Sequence, residues 1–286
     1  MIGMGIYFNP NNESFTKDRN YKIYIDKTGL LEYLNESVGT PKNCIALSHA
    51  RRFGKSHAAG MIDAYYSLGC DSTKLFEDTE IAENSDFKKY MNKYNVIHLD
   101  ISSVWDFHKE DLVESIHERV CEDFQKEYAD TLNYDKDLYL LIQDIYSKTN
   151  VPFVIIIDEW DCVIRNSNDK ELVHKYLQFL HSLFKSEESK SFLALAYITG
   201  ILPIKKIFVS TLPVKGMQTL YSDREPMQAG DRRWWWSLSI ISQRIQRLSR
   251  LRRRDIREHY HVIVIRFYWL ELTMTQKGKI RSTIPV

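Results

Sequence analysis

Glycine, proline and cysteine are scarce in this sequence, and no hydrophobic run is long enough to cross a membrane. The 286 residues include only 11 Gly, 7 Pro and 4 Cys. A membrane-spanning helix needs about 18 consecutive apolar residues, and the start of the chain lacks the basic and apolar regions of a secretory signal. We therefore expect a cytoplasmic protein of bacterial type, with no membrane span and with enough apolar residues, 44%, to bury a full core.

The four cysteines are too scattered to form a metal site or a redox motif. No Cys-x-x-Cys pair and no Cys/His spacing typical of zinc occurs. We expect reduced structural thiols. They are Cys44, Cys70, Cys121 and Cys162.

The small net charge of +1 hides an uneven distribution along the chain. Residues 221–286 hold 14 Lys and Arg against 6 Asp and Glu, whereas acidic side chains are in excess before them. The tail is also rich in Arg and holds four of the six Trp. This change in composition predicts a boundary near residue 215, between a domain at 1–215 and a basic tail at 216–286.

Four continuous apolar segments alternate with helical patterns. Continuous rather than alternating apolarity indicates strands that are covered on both faces, as in parallel sheets. Between them, apolar residues recur at helical spacing over 112–128 and 172–184. The order predicts an α/β fold with a doubly wound, mainly parallel sheet that binds ligands at the carboxyl ends of its strands. The segments lie at 44–47, 96–99, 153–157 and 192–198.

A phosphate-binding loop of the P-loop type is predicted where the first segment runs into Gly54, Lys55 and Ser56. In such a loop, backbone N–H groups at the start of a helix face the phosphates. Lys55 is expected to reach the β and γ oxygens, and the Ser56 hydroxyl to bind Mg²⁺. His49 replaces the first glycine of the usual motif, and a basic helix start is the alternative. The predicted loop residues are Arg52, Phe53, Gly54, Lys55, Ser56 and His57.

The third apolar segment ends in two adjacent acids, Asp158 and Glu159. The apolar residues before them predict a buried strand that carries a carboxylate to its edge. There Asp158 would hold the Mg²⁺ shell, and Glu159 would polarise an attacking water as the catalytic base. The alternative is a strand that simply ends in solvated acids. Because the acids occur together with the loop, we predict an ATP site that uses Mg²⁺.

Several further positions have two interpretations each. Along the chain, an additional strand at 96–101 lies between the two motifs, and Asp100 at its end either caps the next turn or binds a ligand. Thr199, after the fourth segment, is either a catalytic sensor for the γ-phosphate or water, or a turn residue. Arg51 and Arg52 either neutralise phosphate charge or pair with acidic residues of the protein.

At these motifs the sequence resembles the bacterial AAA-ATPase-like family, whose members often carry a restriction-like nuclease domain after the ATPase-like domain. The resemblance implies the P-loop ATPase-like fold, ATP as the ligand, and Lys55, Ser56, Asp158 and Glu159 as binding and hydrolytic residues. The matching pieces are YIDKT at 24–28, RRFGKS at 51–56, LDIS at 99–102, IDEWD at 157–161 and ITGIL at 198–202.

Two positions and the tail depart from the family's pattern. Trp160 stands where the family usually has Tyr, and Pro203 stands where a basic residue usually follows. After Thr211 the resemblance ends, and no strand with paired acids and a lysine builds a nuclease centre. A nuclease activity is not supported.

The sequence leaves three functions open. The first is a Mg²⁺-dependent ATPase that drives a conformational change in a protein partner or effector domain. The second is a nucleotide-binding module or switch without turnover. The third is binding of nucleic-acid phosphates, or of an anionic membrane surface, by a basic amphipathic helix in the tail. An out-of-frame reading of the gene would also produce a tail of this composition.

Overall fold

The structure, a computed structural model, describes residues 5–22, 24–49, 53–129 and 131–202, and the backbone of 218–221. The four apolar segments form strands within one residue or two of the predicted bounds, and a fifth strand joins them. The strands are β1 at Cys44–Ser48, β2 at Asn95–Asp100, β3 at Phe153–Asp158, β4 at Leu193–Gly200 and β5 at Gln218–Tyr221.

Helices connect the strands from β1 to β4, and the two stripes of apolar residues coincide with the two longest described helices, at Leu112–Tyr128 and Lys170–Lys185. No described helix combines the length and the apolarity that crossing a bilayer requires. The first helices are α1 at Glu13–Arg19, α2 at Gly29–Ser37, α3 at Lys55–Tyr66, α4 at Thr73–Phe76, a 3₁₀ turn at Glu80–Glu83 and α5 at Phe87–Tyr90. The others are α6 at Ile101–Phe107, α7 at Leu112–Tyr128, α8 at Leu138–Thr149, α9 at Cys162–Asn166, α10 at Lys170–Lys185 and α11 at Ser189–Phe192.

The five strands are parallel, in the order β2, β3, β4, β1, β5. Strand β2 precedes the acidic strand along the chain, as predicted. Within the sheet, however, β4 is the strand that separates β1 from β3. The phosphate loop and the acidic strand end therefore flank the end of β4, at the edge where ligands bind in sheets of this type.

Both faces of the sheet are covered, which explains the continuous apolarity of its strands. In β3, Phe153, Ile155 and Ile157 pack into one core cluster, and Val154 and Ile156 into the other. All six β3 residues are buried. Because strand side chains alternate between faces, both sets must be apolar, and the doubly wound α/β fold is confirmed.

Two polar contacts of β2 position helices α3 and α6 beside the sheet. His98 Nδ1 lies 2.6 Å from Asp63 Oδ2, which ties α3 to the sheet. At the end of β2, Asp100 accepts the N–H groups of Ser102 and Ser103 and so caps α6. Of the two interpretations of Asp100, the structure shows the capping one.

The sheet continues beyond the boundary predicted at residue 215. Strand β5 pairs with β1, with Ala46 opposite Thr219, and the first compact unit of the chain comprises residues 1–225. The predicted amphipathic helix and the Trp cluster at 234–236 lie outside the described residues. The division of the chain at residue 215 stays a prediction.

Shortening the chain tests where the domain ends. A chain that ends at residue 225 should keep the melting transition of the domain in the full-length chain, whereas one that ends at 217 should melt lower. Loss of β5 removes backbone hydrogen bonds to β1, worth about 1 kcal/mol each, and each kcal/mol corresponds to roughly 2–4 °C for a domain of this size. Equal melting temperatures of the two shortened chains would support the boundary at 215.

Candidate functional site

The predicted phosphate loop connects β1 to α3 at the carboxyl edge of the sheet. Strand β1 ends at Ser48, and α3 begins at Lys55. Gly54 precedes the helix with a φ of 75°, a left-handed conformation that glycine adopts without strain. The first N–H groups of α3 have no partner within the helix, as anion binding at a helix start requires.

Lys55 joins this loop to the acidic strand end. Its side chain is only 5% exposed, and its Nζ lies 3.6 Å from Glu159 Oε1. The same Nζ donates to the His49 carbonyl at 3.2 Å. The structure thus brings together the lysine and the glutamate that the sequence places in two separate motifs.

Asp158 and Thr199 form a buried pair at the ends of β3 and β4. The Thr199 hydroxyl donates to Asp158 Oδ1, and the Glu159 N–H donates to the same oxygen at 3.0 Å. Both hydrogen bonds that the described residues make to Asp158 therefore fall on Oδ1, which leaves Oδ2 available as a ligand. Thr199 is fully buried and does not face the cleft. Its contact at this edge is with Asp158, the candidate metal ligand.

The chain turns sharply after β3. Glu159 has a φ of 52°, which is uncommon for a residue with a side chain. The Trp160 N–H donates to the Thr199 carbonyl at 2.9 Å and ties the turn to β4. A Cβ added to Gly200 would lie 2.5 Å from the Trp160 ring. Close packing against a glycine therefore holds the turn in place.

Two residues that the sequence analysis did not single out complete the turn. Asp161 is fully buried and accepts the N–H groups of Ile201 and Leu202 at 3.2 and 2.9 Å. Arg165 on α9 donates to Asp161 at 2.7 Å and to Glu159 at 2.6 Å. Asp161 and Arg165 stand four residues apart, directly after the strand that ends in two acids. This spacing of opposite charges is the signal that could have indicated the pair.

Lys27 brings a second amine to the phosphate loop. Its Nζ donates to the Phe53 carbonyl at 3.0 Å, and a Cβ added to Gly54 would lie 2.6 Å from it. Asp26 fixes this segment by accepting the Glu80 N–H at 2.9 Å. The sequence alone reveals no role for Asp26 and Lys27; the structure places them in support of the loop.

These elements surround a mainly polar cleft of about 850 Å³. Lys55 and Ser56 line it on the side of α3, and Glu159 and Arg165 line it on the side of β3. A polar cleft lined by three cationic side chains, Lys55, Lys109 and Arg165, suits a phosphate group. The remaining wall comes from Ser102, Trp105 and Asp106 on α6, from Lys109, and from Cys162 and Asn166 on α9.

A more apolar groove of about 520 Å³ adjoins the cleft, since His57 lines both. Two large apolar side chains in the groove are unusually exposed, Tyr21 by 71% and Ile25 by 56%. His57 itself lies 2.7 Å from Asp18. The other apolar lining residues are Phe15, Tyr24, Ala58 and Met61.

The other predicted loop residues have different environments. Ser56 and His57 are exposed at the start of α3. Phe53 is 40% exposed and stacks on His49, with ring centroids 3.9 Å apart. Arg51 and Arg52 lie outside the described residues.

Comparison with known proteins identifies the family. The profile of the AAA-ATPase-like family, described as a predicted AAA-ATPase, matches residues 12–210, well over half of the chain. The chain belongs to the AAA-ATPase-like family. It thus carries a P-loop nucleotide-binding domain of the ATPase type, and the matched range includes Lys27, Lys55, Glu159 and Arg165.

Other comparisons of this AAA-ATPase-like protein give weaker likenesses. No curated protein gives a significant match. Among solved structures, the ORC2 protein of Aeropyrum pernix, in ADPNP–ADP complexes, is similar with 11% identity and a TM-score of 0.37. The likeness covers 74% of this chain and 51% of that one, so the chain spans about half the length of that protein.

The residues of the AAA-ATPase-like site fit a magnesium ion that is held mainly by a nucleotide. The described residues contain no group of three His, Cys, Asp or Glu side chains that could hold a metal alone. Mg²⁺ usually takes one or two protein ligands and completes its shell with phosphate oxygens and water. The Ser56 hydroxyl and Asp158 Oδ2 are candidate oxygen ligands of this kind.

Replacing Gly54 with Ala should weaken both the fold and nucleotide binding. Left-handed φ costs alanine about 1–2 kcal/mol, and the new methyl group would also displace the Lys27 amine from the loop. Gly39 is a matched control, because its φ is 68° and no atom lies within 4 Å of an added Cβ.

Urea unfolding and ATP titration compare the two variants. Gly39→Ala should lose a similar amount of stability and keep the parent's ATP affinity, whereas Gly54→Ala should bind ATP at least tenfold more weakly. Equal ATP affinity of both variants would contradict the role of the Gly54 and Lys27 contact.

Proposed function

We propose that this domain binds ATP with Mg²⁺ and hydrolyses it, acting as a conformational switch or motor for a protein partner or an effector domain. The observation that carries the proposal is the 3.6 Å contact between Lys55 Nζ and Glu159 Oε1. The candidate phosphate ligand begins the helix after β1 and the candidate base follows β3, so the two face one cleft although β1 and β3 are not neighbours in the sheet. A terminal phosphate beside Lys55 would therefore lie within reach of Glu159, as hydrolysis requires.

Each residue at the edge has a distinct role in this mechanism. Lys55 and the N–H groups of α3 hold the phosphates. Ser56 and Asp158 would hold Mg²⁺, which neutralises charge on the β and γ oxygens when bound. Thr199 positions Asp158 through its hydroxyl. Glu159 accepts a proton from water as the water oxygen bonds to the γ-phosphorus and the bond from phosphorus to the bridging oxygen of ADP breaks.

The apolar groove is the candidate site for the adenine ring. A nucleotide joins an apolar ring to a charged chain, and here an apolar groove meets a polar cleft at His57. Exposed Tyr21 and Ile25 would lose water-accessible surface against the ring. The exposure of these two side chains supports this assignment.

Binding without turnover is the second candidate function, and one observation favours it. Both oxygens of Glu159 are engaged by cations, Oε1 by Lys55 and Oε2 by Arg165. With both oxygens occupied, the carboxylate has no oxygen directed at an attacking water until one cation leaves.

Lys55→Ala should weaken ATP binding by at least a hundredfold, because the charge on the β and γ phosphates is lost while the loop backbone remains. Calorimetric titration with ATP and Mg²⁺ measures this effect. Lys89→Ala is the control, because this lysine is largely exposed and pairs with Asp86 on the surface. A Lys55 variant that binds ATP as the parent does would show that the loop is not a phosphate site.

Glu159→Gln should retain ATP binding and abolish hydrolysis, because the amide preserves the shape of the side chain but cannot accept the proton. Phosphate release with saturating ATP and Mg²⁺ is the measurement. Undiminished turnover in this variant would assign the base to another residue, and a parent without turnover would favour the second candidate.

A further inference from the structure

Arg165 holds two carboxylates with one guanidinium group. Its Nη2 lies 2.6 Å from Glu159 Oε2, and its Nε lies 2.7 Å from Asp161 Oδ2. The Arg165 side chain is 17% exposed and lines the cleft. The arginine is therefore anchored on one side and open to a ligand on the other.

The anchor does not depend on Glu159. Asp161 is fully buried and also accepts the Ile201 and Leu202 N–H groups at the end of β4. Because a guanidinium carries five N–H donors on three separate nitrogens, Nη2 can change its partner while Nε stays on Asp161. Asp161 is thus a positioning residue for Arg165.

A phosphate group can take the place that Glu159 occupies between the two cations. Lys55 and Arg165 approach opposite oxygens of one carboxylate. A phosphate offers several oxygen acceptors for charge-assisted hydrogen bonds and carries more negative charge than a carboxylate. Both cations line the cleft in which the proposed function places the γ-phosphate.

We propose that Arg165 senses the γ-phosphate of an ATP molecule bound to the same chain. The γ-phosphate replaces Glu159 as the partner of Arg165 Nη2, and the freed Glu159 can then act as the base. This inference rests on the proposed ATP function. ADP has no γ-phosphate, so it leaves the contact between Arg165 and Glu159 in place. The glutamate is held while ADP is bound and released when ATP is bound.

Titrations of the full chain with ATP and with ADP, both with Mg²⁺, test the exchange through the ratio of the two dissociation constants. Arg165→Ala should lower the preference for ATP over ADP by about tenfold to a hundredfold, the range for a charge-assisted hydrogen bond to phosphate. Affinity for ADP should change less than about threefold. Lys175→Ala, which breaks a surface pair with Glu114 outside the cleft, should leave the ratio unchanged.

Two further variants keep the test decisive if Arg165→Ala does not fold. Arg165→Lys keeps the charge beside Asp161 but cannot reach both partners at once, so it should lose part of the ATP preference. Glu159→Gln removes the competitor of the phosphate, so its preference for ATP should exceed that of the parent. Adding Arg165→Lys to Glu159→Gln should cancel most of that gain.

The outcomes separate this inference from the function on which it rests. If the parent binds neither nucleotide, both the proposed function and the exchange at Arg165 are wrong. If the parent binds ATP but the Arg165 variants weaken ATP and ADP equally, Arg165 only supports the turn, and the exchange alone is wrong. An ATP preference that Glu159→Gln leaves unchanged would also overturn it.

Discussion

Three parallel strands that end at the same level of the sheet create the candidate site. Ser48 of β1 pairs with Gly200 of β4, and Ile157 of β3 pairs with Ile198 of β4. This register sets the start of α3 and the turn after β3 at one edge. Every residue of β4 is buried, and a slip by one residue would turn each of its side chains to the other face. Core packing therefore fixes the geometry of the chemistry.

Charge balance is the second constraint at this edge. Asp158, Glu159 and Asp161 are three acids within four residues, and burial makes an uncompensated charge cost several kcal/mol. Lys55 and Arg165 compensate Glu159 and Asp161, while Asp158 is stabilised by hydrogen bonds. A nucleotide would bring further negative charge to the same two cations. Lys55 and Arg165 can thus either pair with carboxylates of the protein or bind a phosphate.

The main strands and the long helices could be predicted from local patterns, but the edge of the sheet could not. The buried segment at 153–157 requires apolar side chains on both faces, so its sequence reveals it as a strand. The strand at Gln218–Tyr221 has no such run, and its extended backbone pairs with β1. Likewise, the order of the strands does not follow from their order along the chain. The position of β4 between β1 and β3 is a property of the packed sheet.

For the site, the sequence by itself indicated the candidate residues for holding phosphate and metal. The segment at 53–57 and the acids Asp158 and Glu159 are contiguous stretches whose backbone and polarity are set locally. Only the tertiary structure decided their partners, because these contacts join residues far apart in the chain: Lys55 with Glu159, and Lys27 with the Phe53 carbonyl. Arg165 lies close to Glu159 in sequence, yet its ion pair with that carboxylate depends on the left-handed conformation of Glu159. Packing of the turn against Gly200 holds this conformation in place.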